Sequence, residues 1–302
     1  MKRISVVLAI LLLVSSCNKD EEISLLKEYE AKAEQQSEAY QPTTNGTNNP
    51  VIVWQSENQP NPLVKAPAIF YPPHQDDETL GMGASIVEHV RIGRPVYVVL
   101  LTNGANKGML AYLKKINPKS TMQDVITARN NEFIAACIAL GVHRVYIANA
   151  GQGFDESMSL LFLKNNFKNT MSFMRNLFPL ASHKTISGNC DSSNRHCHKK
   201  PAHQAAANAI HELYTLKIIT DVRLYRVYYY YQNTQHCDRR PSWLKPVKTS
   251  DKLIRQKAIN EYKYINHSIK RYGLAYWQSV PILFDNSWNS NYEYVDFIEN
   301  DY

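Results

Sequence analysis

The chain has 302 residues, of which 44% are hydrophobic, which is enough for one large domain with a substantial core or for two small ones. Its formal charge of +7 comes from basic residues spread along the whole sequence. Because this charge is diffuse and no nucleic-acid-binding motif occurs, it predicts a solvated surface and no nucleic-acid partner.

The N-terminus has the pattern of an export signal. Lys2 and Arg3 precede an apolar stretch over 4–14, which is too short to span a bilayer as a stable helix. Cys17 follows small residues in an order that resembles a bacterial lipobox, which implies cleavage just before it and a lipid on its sulfur. The Lys and acidic residues after it resemble a surface-export tag of Gram-negative outer-membrane lipoproteins. The alternative is an ordinary secretory signal with a chance cysteine.

Three segments are predicted along the chain. Residues 1–16 form the signal peptide, and 17–62 hold the lipidated cysteine and a flexible tether. The tether is predicted because its Asn-, Gln-, Thr- and Pro-rich part cannot bury enough surface to fold alone. Residues 63–302 form the folded domain, whose start is expected between Val51 and Ala68. The expected location is the outer membrane, exposed at the surface or otherwise facing the periplasm. The oligomeric state is left open.

The remaining cysteines predict no thiolate metal site, since no CxxC pair occurs. Cys137 falls in a helical pattern and is predicted to be a buried thiol. Cys190 and Cys197 lie close together in a polar loop and can pair in an oxidising compartment, with Cys237 as a competitor.

Strands and helices alternate along the sequence, which predicts an α/β domain with a mostly parallel sheet covered on both faces. The predicted strands are 68–71, 95–101, 144–148, 184–187 and 224–232. The predicted helices are 80–92, 120–140, 157–177, 201–214 and 251–271. The second helix is expected to begin at Ser120 with Gln123 in a capping box and to end at Gly141. The last helix is expected to open at Thr249-Ser250.

One imidazole and three carboxylates follow the first core strand, in His74, Asp76, Asp77 and Glu78. Ligands of such sheets bind beyond the carboxyl ends of the strands, so this turn lies where a site is expected. Carboxylates this close raise one another's pKa unless a cation is present. A divalent metal held by one His and one Asp resolves the conflict and leaves the adjacent Asp free as a base. The alternative is a charged, solvated turn.

Catalytic zinc sites have three protein ligands, so a third is required from elsewhere in the chain. The run from His196 to His203 follows a later predicted strand and opens a helix, and it is expected to reach the same edge of the sheet. The alternative for His203 is a surface histidine at a helix start.

Several motifs resemble those of the PIG-L (LmbE-like) N-deacetylases. His74-Gln75-Asp76-Asp77-Glu78 resembles their HPDDE motif, and Lys200-Pro201-Ala202-His203 resembles their HPDH motif. Thr102-Asn103-Gly104 resembles a T-x-G turn, and Arg129 to Glu132 resembles an R-x-x-E helix. The resemblance covers roughly 68–271. It implies a Rossmann-like three-layer domain with a metal site at the C-terminal edge of the strands. It also implies a zinc-dependent hydrolase of linear amides that removes N-acetyl groups from sugars, often linked to N-acetylglucosamine.

The resemblance also implies residue roles. His74, Asp77 and His203 would hold Zn²⁺, although two His and one Asp suit other divalent metals. Asp76 would be the general base for the attacking water. Glu78 would brace the turn.

Two further residues are candidates for contacting substrate. Asn103 would contact substrate or would merely cap a turn. Arg129 would contact substrate or would form a structural ion pair with Glu132.

Three positions depart from the family pattern. Gln75 replaces a Pro, Lys200 replaces the His that stabilises the oxyanion, and Ala202 replaces the Asp that orients it. Lys200 or His198 would then have to supply the charge for the oxyanion. The competing hypothesis is a catalytically impaired, lipid-anchored carbohydrate-binding protein on the same fold.

Overall fold

The computed structural model describes residues 48–188, 201–227, 241–278, 281–296 and 298. Its strands are β1 (Val51–Gln55), β2 (Ala68–Tyr71), β3 (Val96–Leu100), β4 (Arg144–Ile147), β5 (Ser182–Ile186), β6 (Val222–Arg226), β7 (Trp243–Pro246), β8 (Ile265–Asn266), β9 (Arg271–Tyr272) and β10 (Tyr292–Asp296). Its α-helices are α1 (Asp77–Leu80), α2 (Gly83–Arg91), α3 (Lys107–Ile116), α4 (Met122–Ala139), α5 (Leu160–Leu177), α6 (Pro201–Thr215), α7 (Thr249–Lys263), α8 (Leu274–Gln278) and α9 (Pro281–Asn289). None of the described helices is long and apolar enough to cross a membrane.

Eight of these strands form one sheet in the order β1-β4-β3-β2-β5-β6-β10-β7. The five central strands, from β4 to β6, are parallel, whereas β1 pairs antiparallel at one edge and β10 and β7 at the other. The chain leaves β2 towards β3 and β4 on one side and reaches β5 and β6 on the other. The strand order therefore reverses between β2 and β5, which is where ligands bind in open α/β sheets.

Helices cover both faces of the sheet, so the predicted α/β architecture with a mostly parallel sheet is confirmed. On one face, Phe70 and Val98 pack with residues of α2, α4 and α7, including Phe133. On the other face, Ile69 and Val99 pack with residues of α5 and α6. Strands β2 and β3 are buried on both faces, which explains their continuous apolar sequences.

Several predicted element boundaries are wrong. Thr121, not Ser120, caps α4, and its capping-box partner is Asp124, because these two side chains satisfy each other's backbone N–H groups. The predicted helix over 251–271 ends at Lys263, where the chain turns into the β8–β9 hairpin. The predicted helix over 80–92 is broken between α1 and α2.

The sheet extends further than the sequence predicts. β1 lies inside the segment predicted as a tether up to residue 62, and it pairs with β4 from Val51 to Gln55. Helix α3 and strands β7 and β10 were also not predicted. Cys137 is a buried free thiol, as predicted, whereas Cys17, Cys190, Cys197 and Cys237 lie outside the described residues.

Candidate metal centre and active site

Two prolines end β2 and fix the turn that follows it. Pro72 and Pro73 have no N–H for the sheet ladder, so pairing stops there. Their carbonyl oxygens instead accept hydrogen bonds from the backbone of Leu101 and Thr102, both at 3.1 Å, and the Thr102 hydroxyl adds one at 2.7 Å. The turn from His74 onward is therefore held against the end of β3.

Three buried side chains converge beyond the ends of β2 and β5. His74 Nδ1 lies 3.1 Å from His203 Nε2 and 3.3 Å from Asp77 Oδ2, and His203 Nε2 lies 3.0 Å from the same oxygen. His74 and Asp77 come from the turn after β2, and His203 comes from the first turn of α6. The topology thus joins residues that are 126 positions apart in the chain at the strand-order reversal.

The donor set fits a divalent cation. Two donors bonded to a tetrahedral zinc at about 2.1 Å lie roughly 3.4 Å apart, close to the separations in this cluster. All three side chains are buried, and their ligand atoms lie within 4.8 Å of one another. Burial raises the pKa of Asp77, but His203 and His74 outweigh it and hold the pKa well below its usual range. An ionised carboxylate facing two imidazole nitrogens is a suitable ligand set for zinc and related metals.

Asp76 adopts a backbone conformation that is unusual for a residue with a side chain. Its φ is 133°, in the region that favours glycine, and such strain costs on the order of 1–3 kcal/mol. Its N–H donates to the Glu78 carboxylate at 3.0 Å, and its carbonyl accepts from the N–H groups of Thr79 and Leu80. These bonds hold the strained turn, and strained residues cluster at functional sites.

Glu78 braces the turn from the buried side, as its position in the motif implied. Its carboxylate accepts hydrogen bonds from the Thr79 hydroxyl at 2.6 Å and from the Tyr262 hydroxyl at 2.7 Å. Burial raises the pKa of Glu78 to about 7, although these two bonds oppose the shift. Through Tyr262 the turn is attached to α7.

Arg129 connects α4 to the same turn. One of its guanidinium nitrogens, Nη2, donates to the carbonyl oxygen of Gln75 and lies 3.6 Å from the Asp76 carboxylate. Glu132 faces elsewhere and accepts from backbone N–H groups at the start of α8, at 2.8 Å from Leu274. The structure places Arg129 beside Asp76 and at the wall of the cavity, and its contact with substrate stays a prediction.

Gln75, which stands where the family has Pro, ties three segments together. Its side-chain nitrogen donates to the Asn103 carbonyl and to Asn130 Oδ1, both at 2.9 Å. Gly104 has a φ of +58°, and a Cβ there would lie 2.0 Å from Gln75 Oε1. The absence of a side chain at Gly104 thus leaves the space that Gln75 occupies.

A cavity of about 780 Å³ opens beside the metal cluster. This volume lies within the range of small-molecule sites. Its walls come from the turn after β2, the β3–α3 loop, α3, the β4–α5 loop, α4 and the start of α6. The predicted site residues that line it are His74, Asp76, Asn103 and Arg129. His198 and Lys200 lie outside the described residues, so their predicted oxyanion role stays a prediction.

Two acidic residues of the β4–α5 loop also line the cavity and were missed by the sequence analysis. They are Asp155 and Glu156, and the Glu156 carboxylate lies 2.7 Å from His74 Nε2. Phe154 holds the loop by hydrogen bonds with Leu101 and Asn103 of 2.9 and 3.0 Å. The available signal was that these acidic residues lie in the loop that follows a predicted strand, because the ends of parallel strands meet at one edge.

A family model described as PIG-L, GlcNAc-PI de-N-acetylase, matches residues 69–238, which is more than half of the chain. The chain belongs to the PIG-L family. No curated protein matches the chain significantly.

Two solved structures illustrate the fold that this PIG-L family chain shares. One is teicoplanin deacetylase in its zinc-inhibited form, with 16% identity and a TM-score of 0.55 over 76% of this chain and 96% of the other. Another is a deacetylase of the antimicrobial A40926 pseudoaglycone, with 17% identity and a TM-score of 0.55 over 76% of this chain and 94% of the other. At these identities the likeness establishes the fold alone.

Proposed function

We propose that the protein is a divalent-metal-dependent N-deacetylase, with zinc as the metal, that hydrolyses the acetamide of an N-acetylated sugar or glycoconjugate. The observation that carries the proposal is the convergence of His74, Asp77 and His203 beside a cavity lined by Asp76. Membership of the PIG-L family supports it. The two structures of similar fold are described as a teicoplanin deacetylase and an A40926 pseudoaglycone deacetylase, which agrees with deacetylation as the reaction.

The ligand cluster sets the chemistry that the site can support. A divalent cation held by the three ligands would supply a Lewis acid for the acetamide carbonyl and would lower the pKa of a water molecule. The chain's own part is to keep the ligands unprotonated. His74 and His203 achieve this for Asp77 by holding its pKa low.

Asp76 is the proposed general base. Its carboxylate lines the cavity and takes the proton of the water that adds to the acetamide carbon. The proton then goes to the departing nitrogen as the carbon–nitrogen bond breaks, so that acetate and a free amino sugar are formed. Arg129, 3.6 Å from this carboxylate, holds it in place, and its other contact to Gln75 fixes the turn. Asn103 and Arg129 are the proposed substrate contacts.

A second candidate is a carbohydrate-binding protein that has this fold and has lost turnover. The observation that favours it is Ala202, which is buried at the start of α6 and cannot orient a neighbouring group as the family's carboxylate does. Retention of the three ligand residues favours the enzyme, because a binding protein has no need of a strained acidic residue beside a metal cluster.

Acetate release tests the proposal directly. The full chain, supplied with zinc, is incubated with a panel of N-acetylated monosaccharides and oligosaccharides, and free acetate is measured. Asp76→Asn should lower the rate on the order of a hundredfold or more, because it removes the general base. Asparagine has nearly the same shape as aspartate, so the backbone of the turn should survive the substitution. Glu57→Gln, an exposed site outside the cavity, makes the same acid-to-amide change and should leave the rate unchanged.

The outcomes separate the two candidates. Zinc-dependent release that is lost in Asp76→Asn supports the deacetylase. Full activity of Asp76→Asn would refute Asp76 as the base. Sugar binding with zinc retained, but no acetate from any substrate, would favour the binding protein.

We also propose that the protein is exported and anchored to a membrane by lipid on Cys17. This part rests on the N-terminal sequence alone. Wild-type protein expressed in a Gram-negative host should partition into the detergent phase, and Cys17→Ala should partition into the aqueous phase. Aqueous partitioning of both would contradict the anchor.

A further inference from the structure

The imidazole ring of His74 has a partner at each of its nitrogens. Nδ1 faces the cluster, 3.3 Å from Asp77 Oδ2 and 3.1 Å from His203 Nε2. Nε2 faces the opposite way, 2.7 Å from Glu156 Oε2. Glu156 is thus in contact with a proposed metal ligand without being part of the ligand cluster.

A neutral imidazole carries only one N–H, so its two nitrogens cannot both offer a lone pair. His74 can present Nδ1 to a cation only if Nε2 carries the proton. A carboxylate at 2.7 Å from Nε2 accepts that proton's hydrogen bond and thereby favours this tautomer. It also restricts rotation of the ring and makes the opposite nitrogen a better electron donor.

We propose that Glu156 is a positioning residue for the metal centre, which fixes the tautomer and orientation of His74. The proposal rests on the proposed function in so far as that function requires a metal at this cluster. Glu156 comes from a different loop than any of the three ligands, and nothing in the recognised sequence motifs assigns it a role.

The β4–α5 loop presents Glu156 from a fixed backbone. Gly153 lies so close to Thr102 that a Cβ at Gly153 would approach the Thr102 carbonyl carbon to 2.6 Å. Asn149 Nδ2 donates to the Gly153 carbonyl at 3.0 Å, and Asp155 Oδ1 accepts from the Ser157 N–H at 2.9 Å. The loop is therefore pressed against the end of β3, on the side of the cavity where His74 lies.

Zinc affinity of the full chain, measured with zinc alone by competition against a chelator, tests the proposal without substrate. Glu156→Ala removes the acceptor and should weaken zinc binding by about 10- to 100-fold. Glu156→Gln keeps the side-chain volume and a neutral acceptor oxygen, so its affinity should fall between Ala and wild type. Glu57→Gln is the control for loss of a negative charge and should bind zinc as wild type does.

A second measurement reports the tautomer itself. Nitrogen-15 chemical shifts of the imidazole should place the His74 proton on Nε2 in the zinc-free wild type and show a larger Nδ1–H population in Glu156→Ala. Thermal unfolding of the zinc-free variants should match wild type, since the Glu156 side chain is 35% exposed at the cavity wall.

Zinc dissociation constants of Glu156→Ala and Glu156→Gln within twofold of wild type would overturn the proposal. So would a variant with unchanged zinc affinity and a raised KM, because Glu156 would then be a substrate contact. If the wild type binds zinc but releases no acetate, the proposed function fails, and the affinity series still decides the role of Glu156.

Discussion

Two buried groups of charged side chains in this molecule have opposite organisation. The first is the metal cluster of His74, Asp77 and His203, in which two imidazole nitrogens and one carboxylate oxygen lie 3.0 to 3.3 Å apart. The second, here named the β10 cluster, consists of two carboxylates of β10 and the cations and hydroxyl around them. Its members are Ser85, Arg226, Lys245, Glu293 and Asp296.

In the β10 cluster every acid faces a donor. Glu293 accepts from the Ser85 N–H at 3.0 Å and from its hydroxyl at 2.5 Å, and Lys245 lies 3.8 Å from it. Asp296 accepts two bonds from the Arg226 guanidinium, at 2.6 and 2.9 Å. None of these residues lines the 780 Å³ cavity.

A structural charge cluster and a functional one differ in their hydrogen-bond partners and in their access to a cavity. Buried polar groups need partners, and a cluster whose donors and acceptors match is complete without a ligand. A cluster of two imidazole nitrogens and a carboxylate oxygen at ligand spacing, which borders a cavity, can in addition hold a cation. Charge and burial alone do not distinguish the two.

The largest expected effect is on activity, from Asp77→Asn. The substitution keeps the shape but removes the charged ligand that two histidines face. Bound zinc should be lost, and acetate release should fall by about a thousandfold or more, which corresponds to about 4 kcal/mol of activation free energy. Metal content and acetate release of the purified variant measure this. A variant that keeps one zinc per chain and normal turnover would show that Asp77 is not a ligand.

Removal of a carboxylate from the β10 cluster should affect stability instead. Asp296→Ala removes the carboxylate that accepts two bonds from the buried Arg226 guanidinium, and breaking such a pair costs about 3–5 kcal/mol in the free energy of unfolding. Urea unfolding measures this, and kcat of the folded fraction should not change.

A double variant tests whether the broken Arg226–Asp296 pair causes the loss of stability. Arg226→Met with Asp296→Leu replaces both charges by apolar groups and should recover most of the lost stability. If the double variant is as unstable as Asp296→Ala, or if Asp296→Ala loses activity without losing stability, the contrast between the clusters is wrong.

The sequence predicted the parallel middle of the sheet but not its edges. β2 and β3 are continuous apolar runs, which buried parallel strands require. β1, by contrast, is exposed along most of its length and stands in a polar context, so no pattern distinguishes it from a tether. Its strand state comes from pairing with β4, about 90 residues away, and such long-range pairing is not encoded in local periodicity.

The candidate site, like the sheet, was predicted in part: its ligand residues were found from the sequence, and Glu156 was not. His74, Asp77 and His203 all follow parallel strands, so topology alone brings them to one edge, where the structure places them together. Their roles stay predictions. Glu156 was not predicted, because its contact with His74 depends on how the β4–α5 loop folds against β3, over a separation of 82 residues.

The contact between Gln75 and Gly104 lies beside the metal cluster, and a change there is expected to have a smaller effect on both stability and activity. Gly104→Ala places a Cβ 2.0 Å from Gln75 Oε1 and adds a side chain at a φ of +58°. We expect a loss of about 1–3 kcal/mol in the free energy of unfolding and a lower kcat/KM, since Gln75 is bonded to both the cavity loop and Arg129.

A double-mutant cycle separates the steric clash with Gln75 from the strain of a side chain at positive φ. Gln75→Ala removes the clashing atom but not the strain of positive φ, so the double variant should be more stable than the sum of the single changes predicts. Additive changes in the free energy of unfolding would contradict the proposed clash.

Lys184 in β5 belongs to neither cluster, and its expected effect is a gradual change of stability with pH, small for each pH unit. Its side chain is buried, its Nζ donates to Ser182 Oγ at 2.5 Å, and the ring of Phe70 lies 5.6 Å away. Burial lowers the pKa of Lys184 to about 7. The positive charge of Arg94 lowers this pKa further, whereas the negative charge of Asp221 opposes the shift. It is thus a buried cation whose environment disfavours its charge.

The pH dependence of stability follows from that lowered pKa. In the unfolded chain lysine has a pKa of about 10.4, so between pH 7 and pH 10 the unfolded state binds a proton that the folded state lacks. The contribution of Lys184 to the free energy of unfolding therefore rises with pH, by at most about 1.4 kcal/mol per unit, and is flat below pH 7. Lys184→Met should remove this slope and stabilise the chain at pH 7. Urea unfolding of both proteins at pH 7, 8 and 9 isolates the effect, because the other titrating groups cancel in the difference. Equal slopes in the two proteins would mean that Lys184 keeps its proton when folded, and that a buried cation here is tolerated without a carboxylate partner.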